Sequence, residues 1–473
     1  MTLVAGVDCS TQATKVVIVE AESGRVVSTT RAGHVVTGNG GARETDPLVW
    51  WDALRAALAQ SEMAGSVAAI SVAGQQHGLV VLDEAGAPLR PAMLWNDTRA
   101  AQDAEALIES LGRERWAEIV GVVPVASFTV SKWAWLRRKE PEIAARTRAI
   151  RLPHDYLTER LSGSGVTDRG DASGTGWWAS ATGGYHDEVL ALPLVELDMG
   201  LLPSVLGPGQ SAGGLTPAAA ADLGLSPGIP VGPGTGDNAG AALGLGLKAG
   251  TPVVSLGTSG TTYAVSNTRA TDPSGTVAGF ADATGRFLPL AATLNCTLAV
   301  DRVAELLNID REAVAPDTDV VVLPYFDGER TPNLPNATAT ISGLRHATEP
   351  GEILLAAYRG AAASLLEAVA ALDSHGSGLD DDAALVLIGG GARGEAWRRV
   401  IGELSGRPLQ IPAATELVAM GAAAQAAAMV SSEAPETVAQ GWNTLAGETV
   451  APVARNEEAM RQILRVRELT AGL

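Results

Sequence analysis

In each half of the chain an apolar strand runs into a turn built from the smallest and most hydroxylated side chains, and no other feature constrains the fold as much. Set beneath one another, Val7-Asp8-Cys9-Ser10-Thr11 and Val254-Ser255-Leu256-Gly257-Thr258 match in pattern at an offset of 247 residues, from position 8 to position 255. If the two halves are related and face one cleft, two such turns can grip a polyphosphate from both sides. Chance likeness between short Gly/Ser/Thr turns accounts for the same residues, and on the sequence alone both readings stand. At 473 residues the chain has room for two or three domains.

Composition narrows the partners. The 34 Lys and Arg against 53 Asp and Glu leave a net charge of −19, so a polyanion such as DNA is repelled and no nucleic-acid partner is expected. Apolar types at 46% and charged types at 18% are globular usage, not that of a disordered acidic polymer. Cys9 and Cys296 are too few thiols for a disulfide scaffold, which suits a reducing, cytoplasmic setting. The N-terminus lacks the basic region and cleavage site of an export signal. The most membrane-like run, Leu417 to Val430, is interrupted by Gly421 and Gln425 and reads as a buried helix, so no membrane partner is expected.

Val4 to Val19 alternates as a hairpin around Asp8 to Thr11, and Ser23-Gly24 turns the chain again. Asp46-Pro47 predicts an N-cap and a first helical residue, and Asp97-Thr98 predicts a cap for a helix through Leu111. Val67 to Val72 stops at Gly74-Gln75-Gln76-His77-Gly78, which places polar side chains between two buried strands, where a loop meets ligand. A Gly- and Pro-rich tract from Leu202 to Gly236 is the largest shift in composition. It predicts domains of 1–228 and 229–473, with a cleft that closes about the tract.

Asp8, Ser10, Thr11 and Lys15 put an acid, two hydroxyls and an amine on one hairpin, a set that can meet phosphate oxygens and magnesium. A plain turn with Asp8 satisfying backbone amides explains them equally. Gly257, Thr258 and Ser259 leave little side chain to hinder an anion, although glycines serving only a positive φ would look the same. Ala383 to Ile388 runs as a strand into Gly389, Gly390, Gly391 and Ala392, then a helix, a place for a nucleoside to lie against backbone. The spacing is neither a P-loop nor a Rossmann fingerprint. Asp237, at the end of Gly234-Thr235-Gly236, can take the proton of a hydroxyl attacking phosphorus while Asn238 holds the sugar, or it can cap a helix. Gln76 and His77 in one loop, with Trp95 and Asn96 in another, form an inventory for a polyol. His77 has no Cys or His partner at metal-ligand spacing.

Taken in order, these segments resemble the FGGY carbohydrate kinases of the actin-like ATPase superfamily, and within that family the xylulokinase branch. The likeness runs from Asp8–Lys15 and Gly74–Gly78 through Leu94–Arg99, Phe128-Thr129, Lys132, Leu152–Leu157 and Asp168–Thr175. It continues through Gly236–Ala239, Ser255–Gly260, Pro324–Pro332 and Gly389–Arg393. The resemblance implies an α/β fold of two actin-like (ribonuclease H-like) ATPase domains around a central cleft. It implies ATP and Mg2+ as cofactors, a ketose as the other partner, and transfer of phosphate from ATP to D-xylulose, giving D-xylulose 5-phosphate, with Asp237 as general base. By the same resemblance Asp8 serves the metal; Ser10, Thr11, Lys15, Gly257, Thr258, Ser259, Gly390, Gly391 and Ala392 serve ATP; and Gln76, His77, Trp95, Asn96, Asp237 and Asn238 serve the sugar. The sequence departs from the family at Ser10 and Ala13, where glycine is common, and at Gln76, where bacterial xylulokinases often carry methionine. Kinases for ribulose, rhamnulose or gluconate, and a noncatalytic sugar-sensing protein of the same shape, are the alternatives. A homodimer stays open.

Overall fold

The computed structural model describes residues 1–470. Two seven-stranded sheets face one another across a cleft. In the first lobe β1 (Leu3–Cys9), β2 (Ala13–Glu20) and β3 (Val26–Gly33) form an antiparallel meander, and β4 (Val67–Gly74) lies parallel to β1. Every residue of β1 is buried, as a central strand covered on both faces requires, whereas β3 alternates between exposed and half-buried, as an edge does. Three short strands follow on the far side of β4: β5 (Gly213–Gly214), β6 (Pro230–Val231) and β7 (Thr235–Gly236).

The second lobe repeats this plan. β8 (Pro252–Leu256) and β9 (Gly260–Ala264) form its hairpin, extended by β10 (Ala278–Ala281) and β11 (Phe287–Thr293). β12 (Leu385–Ile388) lies parallel to β8, and β13 (Leu409–Pro412) and β14 (Gly447–Val450) complete the sheet. Asp8 and Ser255 therefore occupy the same place, near the end of a hairpin's first strand beside a parallel neighbour. That correspondence favours two related halves over chance likeness.

Helices pack the layers. In the first lobe α1 (Pro47–Leu58) starts as predicted, with Asp46 accepting from Leu48 N at 3.0 Å. α2 (Thr129–Lys139), α3 (Pro153–Ser162) and the single turn α4 (Arg169–Ala172) complete the set near the cleft. α5 (Asp237–Gly244) joins the lobes, and α6 (Thr297–Leu307), α7 (Pro350–Ser374) and α8 (Glu395–Ser405) belong to the second. α9 (Leu417–Ser431) follows β13 in the chain but lies against β1 and β4 of the first lobe as well as α5. Backbone meets backbone there. A Cβ on Gly421 would lie 1.9 Å from Gly240 O, one on Gly244 would lie 2.0 Å from Leu417 O, and one on Gly6 would lie 2.0 Å from Ala419 O. Gln425 adds a polar tie, accepting from Ser71 Oγ at 2.8 Å and donating to Gly234 O at 2.9 Å.

At the opposite end of the cleft, residues 269–281 of the second lobe reach onto the first. Gly279 N donates to Gly121 O at 2.8 Å, Arg269 to Glu118 O at 2.7 Å, Arg113 to Ser274 O at 3.1 Å, and Ser180 Oγ to Gly279 O at 3.1 Å.

Some expectations change. Within the Gly- and Pro-rich tract the first sheet continues past residue 229, because β6 and β7 pair with β4. We propose the division at Gly236-Asp237 in place of 228/229. Asp97 does not cap the helix at Ala101–Leu111; its carboxylate holds Arg99 and accepts from Arg43 N instead. Leu417–Val430 is a buried helix as read, yet α7 is the longer apolar helix, long and apolar enough by composition to cross a membrane and buried in the second lobe's core.

The close crossing of α5 and α9 sets a stability test. Gly421→Ala should destabilise by about 2 kcal/mol in urea unfolding, since backbone rather than a movable side chain meets the new methyl. Gly441→Ala, in the helix Pro435–Trp442 with open space around an added Cβ, should be neutral or stabilising by up to about 1 kcal/mol.

Candidate active site

Two cavities open into the cleft and share one wall. The first, about 320 Å³, is lined by Gln76, His77, Trp95, Phe128, Phe280 and Arg330 among others. The second, about 680 Å³, runs past Asp8, Lys15, Tyr263, Gly390, Ala392 and Glu416. Asp237, Asn238 and Ser255 line both. A molecule in the first cavity and a molecule in the second would therefore meet at the Asp237 carboxylate.

Asp237 is the first residue of α5, not its cap, a place held by Gly236. Its Oδ1 accepts from Asn238 N at 2.7 Å and Asn238 Nδ2 at 2.9 Å. Burial, reinforced by the nearby Asp8 carboxylate, pushes its pKa up to about 7. That places it near the operating pH of a general base. Asn238 Nδ2 also donates to Gln76 Oε1 at 2.9 Å, so the glutamine that departs from the family pattern ties the first lobe's loop to the acid.

His77 sits at φ 65° between β4 and the following strand, with Phe128 4.9 Å and Phe280 5.6 Å from its ring centre. Burial, with Lys132 nearby, lowers its pKa to about 3 against a smaller opposing contribution from the Gly174 backbone, so the imidazole is neutral. A neutral ring of this kind can donate to or accept from a hydroxyl. The loop is held from below by Lys132 on α2, whose buried ammonium donates to His77 O at 2.8 Å and to Ser127 O.

Asp8 lies at the end of β1. Its Oδ2 accepts from Ser10 Oγ at 2.6 Å, which accounts for the serine at a family glycine position: the hydroxyl is spent on the acid. Among the described residues its Oδ1 is buried without a partner, and burial raises its pKa. One unshared carboxylate oxygen beside the second cavity fits magnesium, which keeps most of its waters and takes one or two protein carboxylates. Among the described residues no group of three or more His, Cys, Asp or Glu could enclose a metal alone. Lys15 is not free, since its Nζ reaches Glu416 at 2.7 Å and Asp8 at 3.8 Å. Thr11 Oγ1 accepts from Trp95 Nε1 at 3.0 Å, joining the hairpin turn to the rim of the first cavity.

Of the sequence-derived candidates, Asp8, Lys15, Gly390 and Ala392 line the second cavity, and Gln76, His77 and Trp95 line the first. Ser259 faces the first cavity, where the nucleotide side was expected. Ser10, Thr11, Gly257 and Thr258 sit on the turns but line neither cavity. Gly391 packs on the second hairpin, since a Cβ there would lie 2.8 Å from Leu256 Cβ, and Asn96 lies outside both walls. Sequence reasoning missed Ser255 as the shared wall, the Phe128 and Phe280 rings, Tyr263, Arg330 and Glu416. Phe128, Ser255 and Arg330 stood in segments already singled out; Phe280, Tyr263 and Glu416 carried no local signal.

The N-terminal domain model of the FGGY family of carbohydrate kinases matches residues 3–244, and its C-terminal domain model matches residues 253–430. The chain is 58% identical over 474 aligned residues to the xylulose kinase of Streptomyces coelicolor, covering 100% of this chain and 97% of that one. It is 57% identical to the xylulose kinase of Streptomyces rubiginosus, with the same coverage. Among solved structures, a xylulose kinase from Bifidobacterium adolescentis superposes with a TM-score of 0.85 at 38% identity, covering 98% of this chain and 99% of that one.

The buried lysine gives a test of how the loop is held. Lys132→Met leaves the half-buried Ser127 carbonyl without its donor and His77 O with only the longer bond from Thr129 Oγ1 at 3.3 Å, and an unmade buried hydrogen bond costs about 1–3 kcal/mol. The urea midpoint should fall accordingly, and cleavage by protease within residues 74–78 should become faster than in the unaltered protein.

Proposed function

The chain belongs to the FGGY family of carbohydrate kinases, and on that premise we propose that it transfers the γ-phosphoryl group of ATP to D-xylulose, giving D-xylulose 5-phosphate and ADP. The two domain models, matched in order, make it a carbohydrate kinase with ATP and a sugar as substrates. D-Xylulose as that sugar is supported by full-length likeness to two xylulose kinases. The observation that carries the mechanism is the shared wall: Asp237 is reached from both cavities.

In this reading the first cavity holds the ketose. Gln76 and Asn238, already bonded to each other, orient its hydroxyls, neutral His77 supplies a further polar partner, and Trp95 and the Phe128 and Phe280 rings shape the wall. Asp237 accepts the proton of one hydroxyl as that oxygen forms its bond to the γ-phosphorus and the bond from phosphorus to the bridging oxygen breaks. ADP departs and the proton remains on Asp237 until solvent removes it. Gly390 and Ala392 lie along the nucleoside, Lys15 reaches the phosphates by exchanging Glu416 for them, and the two hairpin turns with Thr11 and Thr258 flank the phosphate chain. Asp8 would hold Mg2+ directly or through water, and the ion when bound neutralises charge on the phosphate oxygens. The setting proposed is the cytoplasm.

Coupled ADP release tests this directly, with D-xylulose expected to raise the rate above that of ATP alone; no ketose or polyol doing so would point to a sensor. Asp237→Ala should retain sugar binding and lose at least about a hundredfold in kcat, the scale of a general base. Because the raised carboxyl works only when ionised, kcat/KM should fall as pH drops through about 7, approaching tenfold per unit below it. Asp8→Asn should raise the Mg2+ concentration needed for half-maximal turnover.

A further inference from the structure

Beneath Asp237 lies a buried polar node that the mechanism above leaves unused. His154, at the start of α3, places Nε2 3.2 Å from Asp155, 3.4 Å from Asp168 and 3.3 Å from Asp171, and all four side chains are at most 4% exposed. Burial alone would lower the imidazole's pKa, but the three carboxylates outweigh it and hold it at about 9, so the ring is charged. The node touches each wall of the site. A Cβ on Gly74, where the strand enters the Gln76-His77 loop, would lie 3.2 Å from His154 Cβ, and one on Gly234 would lie 2.5 Å from His154 Nδ1. Thr235, fully buried and two residues before Asp237, donates to Asp168 Oδ2 at 3.0 Å. Asp168 is itself fixed by Gly170 N at 2.8 Å and Asp171 N at 3.0 Å, where it caps α4. From the end of α4, Ser173 Oγ accepts from Ala281 N at 2.9 Å, next to the Phe280 ring of the opposite wall.

Asp237 has no such anchor of its own. Among the described residues its side-chain bonds go only to the adjacent Asn238, so its position is set through the backbone, by α5 after it and by the strand before it. The side chain that holds this strand to the node is Thr235. We propose that Thr235 and Asp168 are positioning residues for Asp237: their hydrogen bond fixes the strand ahead of the base and so sets its approach to the acceptor hydroxyl. Phosphoryl transfer is sensitive to such placement, since a shift of about 1 Å costs on the order of a hundredfold in rate.

The inference rests on the kinase reading, and the experiment separates the two. Thr235→Val keeps the shape and removes the donor, whereas Thr235→Ser keeps the donor. For the valine variant kcat should fall about tenfold to a hundredfold while the Kd for D-xylulose, measured by calorimetry, stays within about twofold; the serine variant should stay within about threefold of the unaltered protein in both. Unchanged kcat in Thr235→Val overturns the proposal. So do equal losses in both variants, a loss of sugar affinity parallel to that of kcat, or a valine variant that does not fold, each of which makes the bond structural rather than positional. Unaltered protein that turns over, with Asp237→Ala inactive and Thr235→Val fully active, leaves the kinase reading standing and removes this inference alone; no turnover in the unaltered protein removes both.

Discussion

The backbone contact of α5 with α9 is the constraint on which the site depends. Gly240 and Gly244 on one helix, with Gly421 on the other, let the axes approach until carbonyl and Cα nearly touch, and Gly6 lets α9 sink onto the central strand of the first sheet. The second half of the chain thereby supplies core to the first. Asp237 heads one of these helices, and Glu416 immediately precedes the other and meets Lys15 at the channel. The helix crossing thus fixes where α5, with the acid at its head, stands relative to the first hairpin, and it leaves almost no tolerance for added volume.

The charge balance around the acid follows from that placement. Burial raises the pKa of both Asp8 and Asp237; the Asp8 carboxylate adds to the rise at Asp237, and the Glu416 carboxylate adds to the rise at Asp8. Asp8 is steadied by Ser10 and Lys15, whereas among the described residues Asp237 has only amide donors from Asn238. Two carboxylates of the same chemical type therefore sit in different surroundings, which suits the roles proposed for them, one holding a cation and the other taking a proton. Environment separates their roles.

Much of this was legible in the sequence because it is local. A strand, a small-residue turn and an acid at the strand end identify both hairpins, and the polar loop between Val67–Val72 and Leu79–Leu82 identifies the first cavity. Asp237 stood out beside its glycines. What could not be read depends on contacts across long stretches of chain: Ser71 with Gln425, Lys15 with Glu416, and Phe280 with His77. Local signals also misled where a side chain had another use. Asp97 looks like a helix cap but holds the Arg99 side chain and the Arg43 backbone amide, and the proline-rich tract looks like a domain boundary because edge strands as short as β6 and β7 leave no periodicity to see. Ser10 shows the reverse, a residue that breaks the family pattern and is explained by one bond to Asp8.

The contacts of residues 269–281 with Gly121, Glu118, Arg113 and Ser180 bear on how such a cleft can breathe. Any rotation of the lobes that keeps both those bonds and the α5–α9 crossing has its axis through the two, and displacement grows with distance from that line. A small angular change is then amplified toward the rim of the groove, as at the tip of a pair of tweezers.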